Sequence, residues 1–244
     1  GAVRGCFASA GQLCVSIERI YVHESIHERF LAAFVAATRA IRLGVGLAWT
    51  YDVGSLASAK QLGTVEAHVA DALAKGARLE CGGRRRPDLG PYVYEPTVLT
   101  GVLPGMTLHA EETFGPVVAV YPVASNHEAV ERAHDSRYGL NASIWSRDVE
   151  RARRMATRLQ CGTVTVNETY VAGWASIEAP MGGFKDSGLG RRHGAEGILK
   201  YTEGQNVSIQ RGLPIAPPRG VPAEAFARWF SGALKALKRV PGVR

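Results

Sequence analysis

The sequence predicts an α/β fold with a largely parallel sheet, on three observations. Short β-branched apolar runs alternate with amphipathic helical runs along most of the chain. The run Val117–Val123 reads strongly as a strand. The 244 residues are 46% hydrophobic and 21% charged, which suits a buried core and excludes collagen, a disordered chain and a disulfide scaffold.

Element by element, Ile17–His23 reads as a strand. Ser25 then reads as the N-cap of a helix to about Leu43, with Glu28 three residues on completing a capping box. Gly44–Ser58 reads as a glycine-rich loop, Ala59–Lys75 as a helix stopped by Gly76, and Arg78–Cys81 as an edge strand before a turn-rich excursion. Tyr92–Leu103 and Val117–Val123 read as strands. A helix near Glu128–Asp135, a strand at Ala142–Ser146, a helix at Val149–Leu159 and a strand at Thr163–Asn167 follow. Residues 171–194 are glycine-rich without a period and read as one long loop, of the kind that tends to carry function.

The C-terminal segment differs in character. Four prolines between Gly212 and Pro222 mark a linker. Beyond it Phe226, Trp229, Phe230, Ala233, Leu234 and Leu237 recur at the spacing of one helical face, with Arg228, Lys235, Lys238 and Arg239 off it. A basic amphipathic helix that packs on its own domain or on another subunit is expected, with a membrane-surface helix as the alternative.

The net charge of +7 raises the question of nucleic acid. From Arg211 onward seven Lys/Arg stand against the single acid Glu224, so residues 1–210 carry 22 basic and 21 acidic groups. The body is balanced, and the absence of a basic face argues against a nucleic-acid partner. No run of about 18 apolar residues suggests a membrane span, and no segment reads as a signal peptide. Cys6, Cys14, Cys81 and Cys161 have neither metal-ligand spacing nor a disulfide pattern, so no metal is expected and a reducing, cytoplasmic compartment is.

Taken alone, Cys14 in FASAGQLCVSIER is a weak signal, because a free cysteine is ordinarily a small buried hydrophobe. Glu112 alone reads as a solvated loop acid, and Phe114 before Gly115 and Pro116 as part of a turn. The order of the blocks changes this reading. Phe7, Gly11, Gln12, Cys14 and Arg19 form FxxxGQxCxxxxR, and EETFGPV (Glu111 to Val117), YGLNASIWSRD, GTVTVN and PMGGFKDSGLGRRHG follow. In this order they resemble the aldehyde dehydrogenase superfamily over residues 1 to about 210. The chain looks most similar to succinate-semialdehyde dehydrogenases of the actinobacterial type.

The resemblance implies an aldehyde dehydrogenase-like catalytic domain (residues 1–202) that oxidises a small-molecule aldehyde to a carboxylic acid with NAD or NADP. Cys14 would be the nucleophile, with its backbone N–H in the oxyanion hole. Glu112 would hold the nicotinamide ribose, and Phe114 would buttress the ring. Gly11, Gln12, Asn167, Gly182 and Gly183 would give structural support, and His193 is expected in a loop at the surface. Residues 203–220 would comprise an oligomerisation strand, Glu203 to Gln210, and the linker, and 221–244 the basic helix; a homo-oligomer is implied.

Departures from the family pattern are Met181 for Phe in PFGG and Arg192 where Glu is common. Ala8 stands where succinate-semialdehyde enzymes often place a carboxylate-binding Arg, and Ser16 where some carry a second Cys. Ser176 remains as a hydrogen-bonding candidate for a substrate carboxylate. The family's cofactor-binding domain, its general-base Glu and its oxyanion-hole Asn precede the nucleophile, and only thirteen residues do so here. The sequence therefore reads as the C-terminal part of such an enzyme, lacking the N-terminal cofactor-binding domain and inactive alone. The alternatives are an inactive remnant or a binding domain.

Overall fold

A computed structural model describes residues 1–46, 49–211 and 216–239. The chain divides into two compact units, Gly1–Thr202 and Glu203–Arg244. The first contains, in order, α1 (Ala2–Phe7), a 3-10 turn at Ala8–Gly11, β1 (Arg19–His23), α2 (Glu24–Arg39), α3 (Ala59–Ala74), β2 (Arg78–Cys81), β3 (Thr97–Thr100), α4 (Thr107–Ala110) and β4 (Val117–Val123). It continues with α5 (Asn126–His134), β5 (Tyr138–Gly139), β6 (Asn141–Ile144), α6 (Val149–Ala156), β7 (Thr163–Val166), α7 (Val171–Ala175), β8 (Phe184–Lys185) and α8 (Gly194–Leu199). In the second unit the described helix is α9 (Ala223–Leu237).

The main sheet has the order β1-β4-β3-β2, with β1 and β3 parallel to β4 and only the edge strand β2 antiparallel. A second parallel pair is β6-β7, and β5 pairs antiparallel with β8. This is the largely parallel α/β arrangement that the sequence predicts. Strand β4 is central because residues 117 to 121 are all buried, and an unbroken apolar run needs cover on both faces. Pro122 is tolerated because it lies past the last β3 pair, Thr100↔Val120, where no ladder amide is required. Against the sheet pack Phe7, Phe30 and Phe34, whose stacked rings join α1 to α2. Arg19 pins the start of β1 by donating from Nη1 to the Asp135 carbonyl at the end of α5, at 2.9 Å.

Several expectations are corrected. The cap of α2 is His23, whose Nδ1 accepts from the Ser25 amide at 3.3 Å, and not Ser25. The strand runs into the helix without a loop, so the first turn closes on the His ring; Glu28 turns to His27 Nδ1 at 3.0 Å, and no capping box forms. The helix ends at Arg39, because Leu43 is drawn into a bridge with Val53. The strand expected over 92–103 is continuous only over Thr97–Thr100, the stretch that meets β4; before Pro96, Tyr94 makes a single bridge with Arg85. Residues 171–194 are not one loop: they hold α7 and β8, and α8 starts at Gly194. Elements of two to six residues are too short to leave a period in the sequence, which is also why α1 passes unnoticed. Glu203 to Gln210 is exposed, and no strand is formed within it among the described residues.

Candidate functional site

The site is built around the turn that carries Cys14. Ser9, Ala10 and Gly11 take left-handed φ values of 53°, 55° and 69°, which reverse the chain after α1. Gly11 is required there twice over, because a Cβ on it would stand 2.1 Å from the Gly115 carbonyl oxygen. The close approach locks the GQxC block onto the FGP block. Gln12 ties the same turn to the segment before α3: its Nε2 donates to Ser9 O at 3.0 Å and Ser55 O at 3.3 Å, and its Oε1 accepts from the Ala57 amide at 2.8 Å.

Leu13 to Ser16 closes on itself, with Ser16 N donating to Leu13 O at 2.8 Å and Leu13 N to Ser16 Oγ at 3.3 Å. Cys14 sits on the tip of this turn as an exposed free thiol. Its backbone N–H meets no acceptor among the described residues. The other thiols are different. Burial pushes Cys6, Cys81 and Cys161 up from the ordinary thiol range, and Cys6 and Cys81 are shielded from solvent.

Glu112 and Phe114 are held by backbone contacts. Phe114 adopts a left-handed φ of 50°, and Gln61 Nε2 braces the bend by donating to the Thr113 and Phe114 carbonyls at 2.7 and 3.0 Å. From the other side the Glu18 carboxylate accepts from Thr113 N at 2.9 Å and Phe114 N at 2.9 Å. Desolvation is the main reason its pKa is pushed up to about 7; the two amide hydrogen bonds pull it down, and the Glu112 charge adds to the rise. Phe114 is half-buried, and Glu112 is exposed.

Cys14, Glu18 and Glu112 line one open cleft of about 1640 Å³, along with Asn141, Asn167 and Thr169. Asn141 steadies its wall: Nδ2 donates to Val15 O at 3.0 Å and Thr169 O at 3.1 Å, joining the turn that carries Cys14 to the loop after β7. Asn167, at φ 57°, exchanges hydrogen bonds of 2.9 Å with both backbone groups of Ser146 and thereby fastens the ends of β6 and β7 together.

The remaining candidates lie elsewhere. Gly182 approaches Gly162 so closely that a Cβ on Gly162 would overlap the Gly182 carbonyl, and a Cβ on Gly183 would clash with Ser187. Met181 is buried and its backbone bridges Arg192, so the two departures from the family pattern are neighbours. His193, half-buried at the start of α8, contacts the Ser176 carbonyl through Nδ1 at 3.2 Å. Ser176 is exposed and is not among the residues lining the cleft, so the structure does not bring it to Cys14. Sequence reading missed Glu18 and Asn141. Both stand inside recognised blocks, but nothing in their spacing says which backbone amides or carbonyls they reach.

Among the described residues no group of three or more His, Cys, Asp and Glu is placed to hold a metal ion, and no helix is long and apolar enough to cross a membrane.

Comparison with known proteins agrees with this architecture. Residues 1–207 match the aldehyde dehydrogenase family model. A Mycobacterium tuberculosis (strain H37Rv) protein named "Putative succinate-semialdehyde dehydrogenase [NADP(+)] 2" is 51% identical over 243 residues, covering 100% of this chain and 47% of the relative. A Mycolicibacterium smegmatis protein named "Putative succinate-semialdehyde dehydrogenase [NADP(+)]" is 50% identical over 241 residues, 99% of this chain and 47% of its own length. Betaine aldehyde dehydrogenase from Staphylococcus aureus, solved in complex with NAD+, superposes with a TM-score of 0.78 at 37% identity, over 82% of this chain and 40% of that one. The chain spans about half the length of the curated relatives it matches. With the family model matched over residues 1–207 and the same α/β fold in a solved member, the chain belongs to the aldehyde dehydrogenase family.

Proposed function

We propose that this chain is the nucleophile-bearing part of an NAD(P)-dependent aldehyde dehydrogenase that oxidises an aldehyde to the carboxylic acid. The observation that carries the reading is the exposed thiol of Cys14 on a tight turn, lining the same cleft as Glu112. Succinate semialdehyde is the substrate we favour, on the names of the two mycobacterial relatives.

In this reading the Cys14 thiolate attacks the aldehyde carbonyl carbon and forms a thiohemiacetal. The unspent Cys14 amide donates to the oxygen as it becomes an oxyanion. The nicotinamide supplies the acceptor for the hydride lost when the thiohemiacetal becomes a thioester. Water then hydrolyses the thioester, releasing the acid and regenerating the thiol.

The residues present fit the nicotinamide end of such a cofactor. Glu112 offers an exposed carboxylate able to accept from two ribose hydroxyls, and Glu18 and Gln61 fix the backbone that carries it. For the pyrophosphate, no glycine turn between a parallel strand and a helix occurs among the described residues. We therefore propose that these 244 residues alone do not oxidise aldehydes.

Two measurements test this. With iodoacetamide on the native chain, Cys14 is expected to label at least about tenfold faster than Cys6, Cys81 or Cys161, since reactivity follows access and thiolate character. Equal labelling of Cys14 and Cys161 removes the nucleophile assignment and favours an inactive remnant. With succinate semialdehyde and either NAD+ or NADP+, no NAD(P)H formation is expected; Cys14-dependent formation, abolished in Cys14→Ser, overturns the claim that the chain is inactive alone.

A further inference from the structure

We propose that α9 is a surface helix that binds an anionic lipid membrane, lying in the headgroup region with its aromatic face down. The family match ends at residue 207, so α9 belongs to a segment the shared fold does not account for, whereas the mycobacterial relatives match through it.

The helix sorts its side chains by chemistry. At 100° per residue, Phe226, Trp229, Phe230, Ala233, Leu234 and Leu237 fall within one face and Arg228 and Lys235 lie opposite, with Lys238 and Arg239 directly after the last turn. The aromatic side chains form one cluster: the Phe226 ring lies 5.6 Å from Phe230 and 6.0 Å from Trp229. Trp229, Leu234 and Leu237 remain 55%, 47% and 48% exposed. On the polar face Arg228 pairs with Glu224 at 3.4 Å, whereas Lys235, and Lys238 and Arg239 just beyond the helix, have no ion-pair partner among the described residues.

Charge decides between occupants. From Arg211 onward the chain has seven Lys/Arg and one acid, a net of +6, against +1 for residues 1–210. A second copy of the tail repels the first, and the near-neutral body of another copy offers no acidic excess. Nucleic acid answers the charge but offers no apolar phase for Trp229, Phe230 and Leu237. An anionic bilayer surface answers both, with the basic residues at the headgroups and the aromatic rings at the acyl boundary. At 15 residues α9 is short of the roughly 20 needed to cross a bilayer, so it lies on the surface.

The test is flotation of the full chain with vesicles of phosphatidylcholine and phosphatidylglycerol in equal amounts, beside pure phosphatidylcholine vesicles. The chain is expected to float with the anionic vesicles only, less so as salt rises. The variant Lys235→Glu/Lys238→Glu/Arg239→Glu is expected to lower partitioning by at least about tenfold. Trp229→Ser/Leu234→Ser is expected to lower it without changing the salt dependence, and a chain ending at Arg211 is expected not to bind. No flotation, equal flotation with neutral vesicles, or binding unaffected by both variants overturns the proposal. So does a tail-dependent doubling of native mass, which assigns the face to a second copy, or tail-dependent retention on duplex DNA without flotation.

Discussion

At the scale of single residues, Glu18 is a carboxyl group whose protonation the fold changes strongly. Thr113 N and Phe114 N point at its carboxylate, Glu112 faces it from the same loop, and Arg19 and Cys6 are the other titratable neighbours. The folded state holds the Glu18 proton up to about 7 and the unfolded chain releases it near 4.5, so the folded state binds the extra proton between these values. Stability from this group is present in full below about 4.5 and is lost as pH rises through about 7. Glu18→Gln is therefore expected to gain stability relative to the parent as pH rises from 4.5 to 8, by up to about 3 kcal/mol. Urea melts at both ends of that range check it, and a stability difference that stays constant with pH refutes it. Gly11 gives a second prediction. A methyl group at φ 69°, directed at the Gly115 carbonyl, adds backbone strain to a backbone clash. Gly11→Ala is expected to cost at least about 2 kcal/mol, measured as a lowered midpoint in denaturant. The same variant is expected to raise hydrogen exchange at Thr113 and Phe114, since it loosens the lock between the two blocks.

At the scale of elements, the helices follow local rules where a side chain can reach its own first turn. Ser58 caps α3 by accepting from Gln61 N at 3.2 Å, Ser125 caps α5 through Glu128 N at 3.1 Å, and Asp148 caps α6 through Arg151 N at 2.8 Å. Ser58→Ala is expected to destabilise the chain by about 1 kcal/mol. Because α3 carries Gln61, the brace of the Phe114 bend, this loss is expected to appear also as faster amide exchange at Thr113 and Phe114. Normal exchange there in a destabilised variant separates the cap from the brace. In α2 the local rule is overruled, as His23 takes the cap from Ser25 because β1 ends where the helix begins. Strand β3 pairs with β4 from Thr97↔Val117 to Thr100↔Val120, and β4 runs on to Val123 beside β1 alone.

At the scale of the whole molecule, the fold class, the order of the longer strands and helices, and the sequence blocks around Cys14 and Glu112 were determined by the sequence alone. Burial on both faces writes an apolar run such as Val117–Val123, and amphipathic cover writes a helical period; both are local patterns. The charged tail was equally legible, because charge needs no partner to be counted. What only the tertiary structure decided is how the blocks meet. The carbonyl of Gly115 against Gly11, the amides of Thr113 and Phe114 on Glu18, and the amide of Asn141 on Val15 and Thr169 join residues about 30 to 130 positions apart. The structure also left Ser176 out of the cleft that Cys14 and Glu112 share. Such contacts are made through backbone groups that every residue carries, and backbone groups leave no signature in the choice of side chain. Only the packing of the parallel sheet, which brings distant loops to one end of the strands, selects which of them touch.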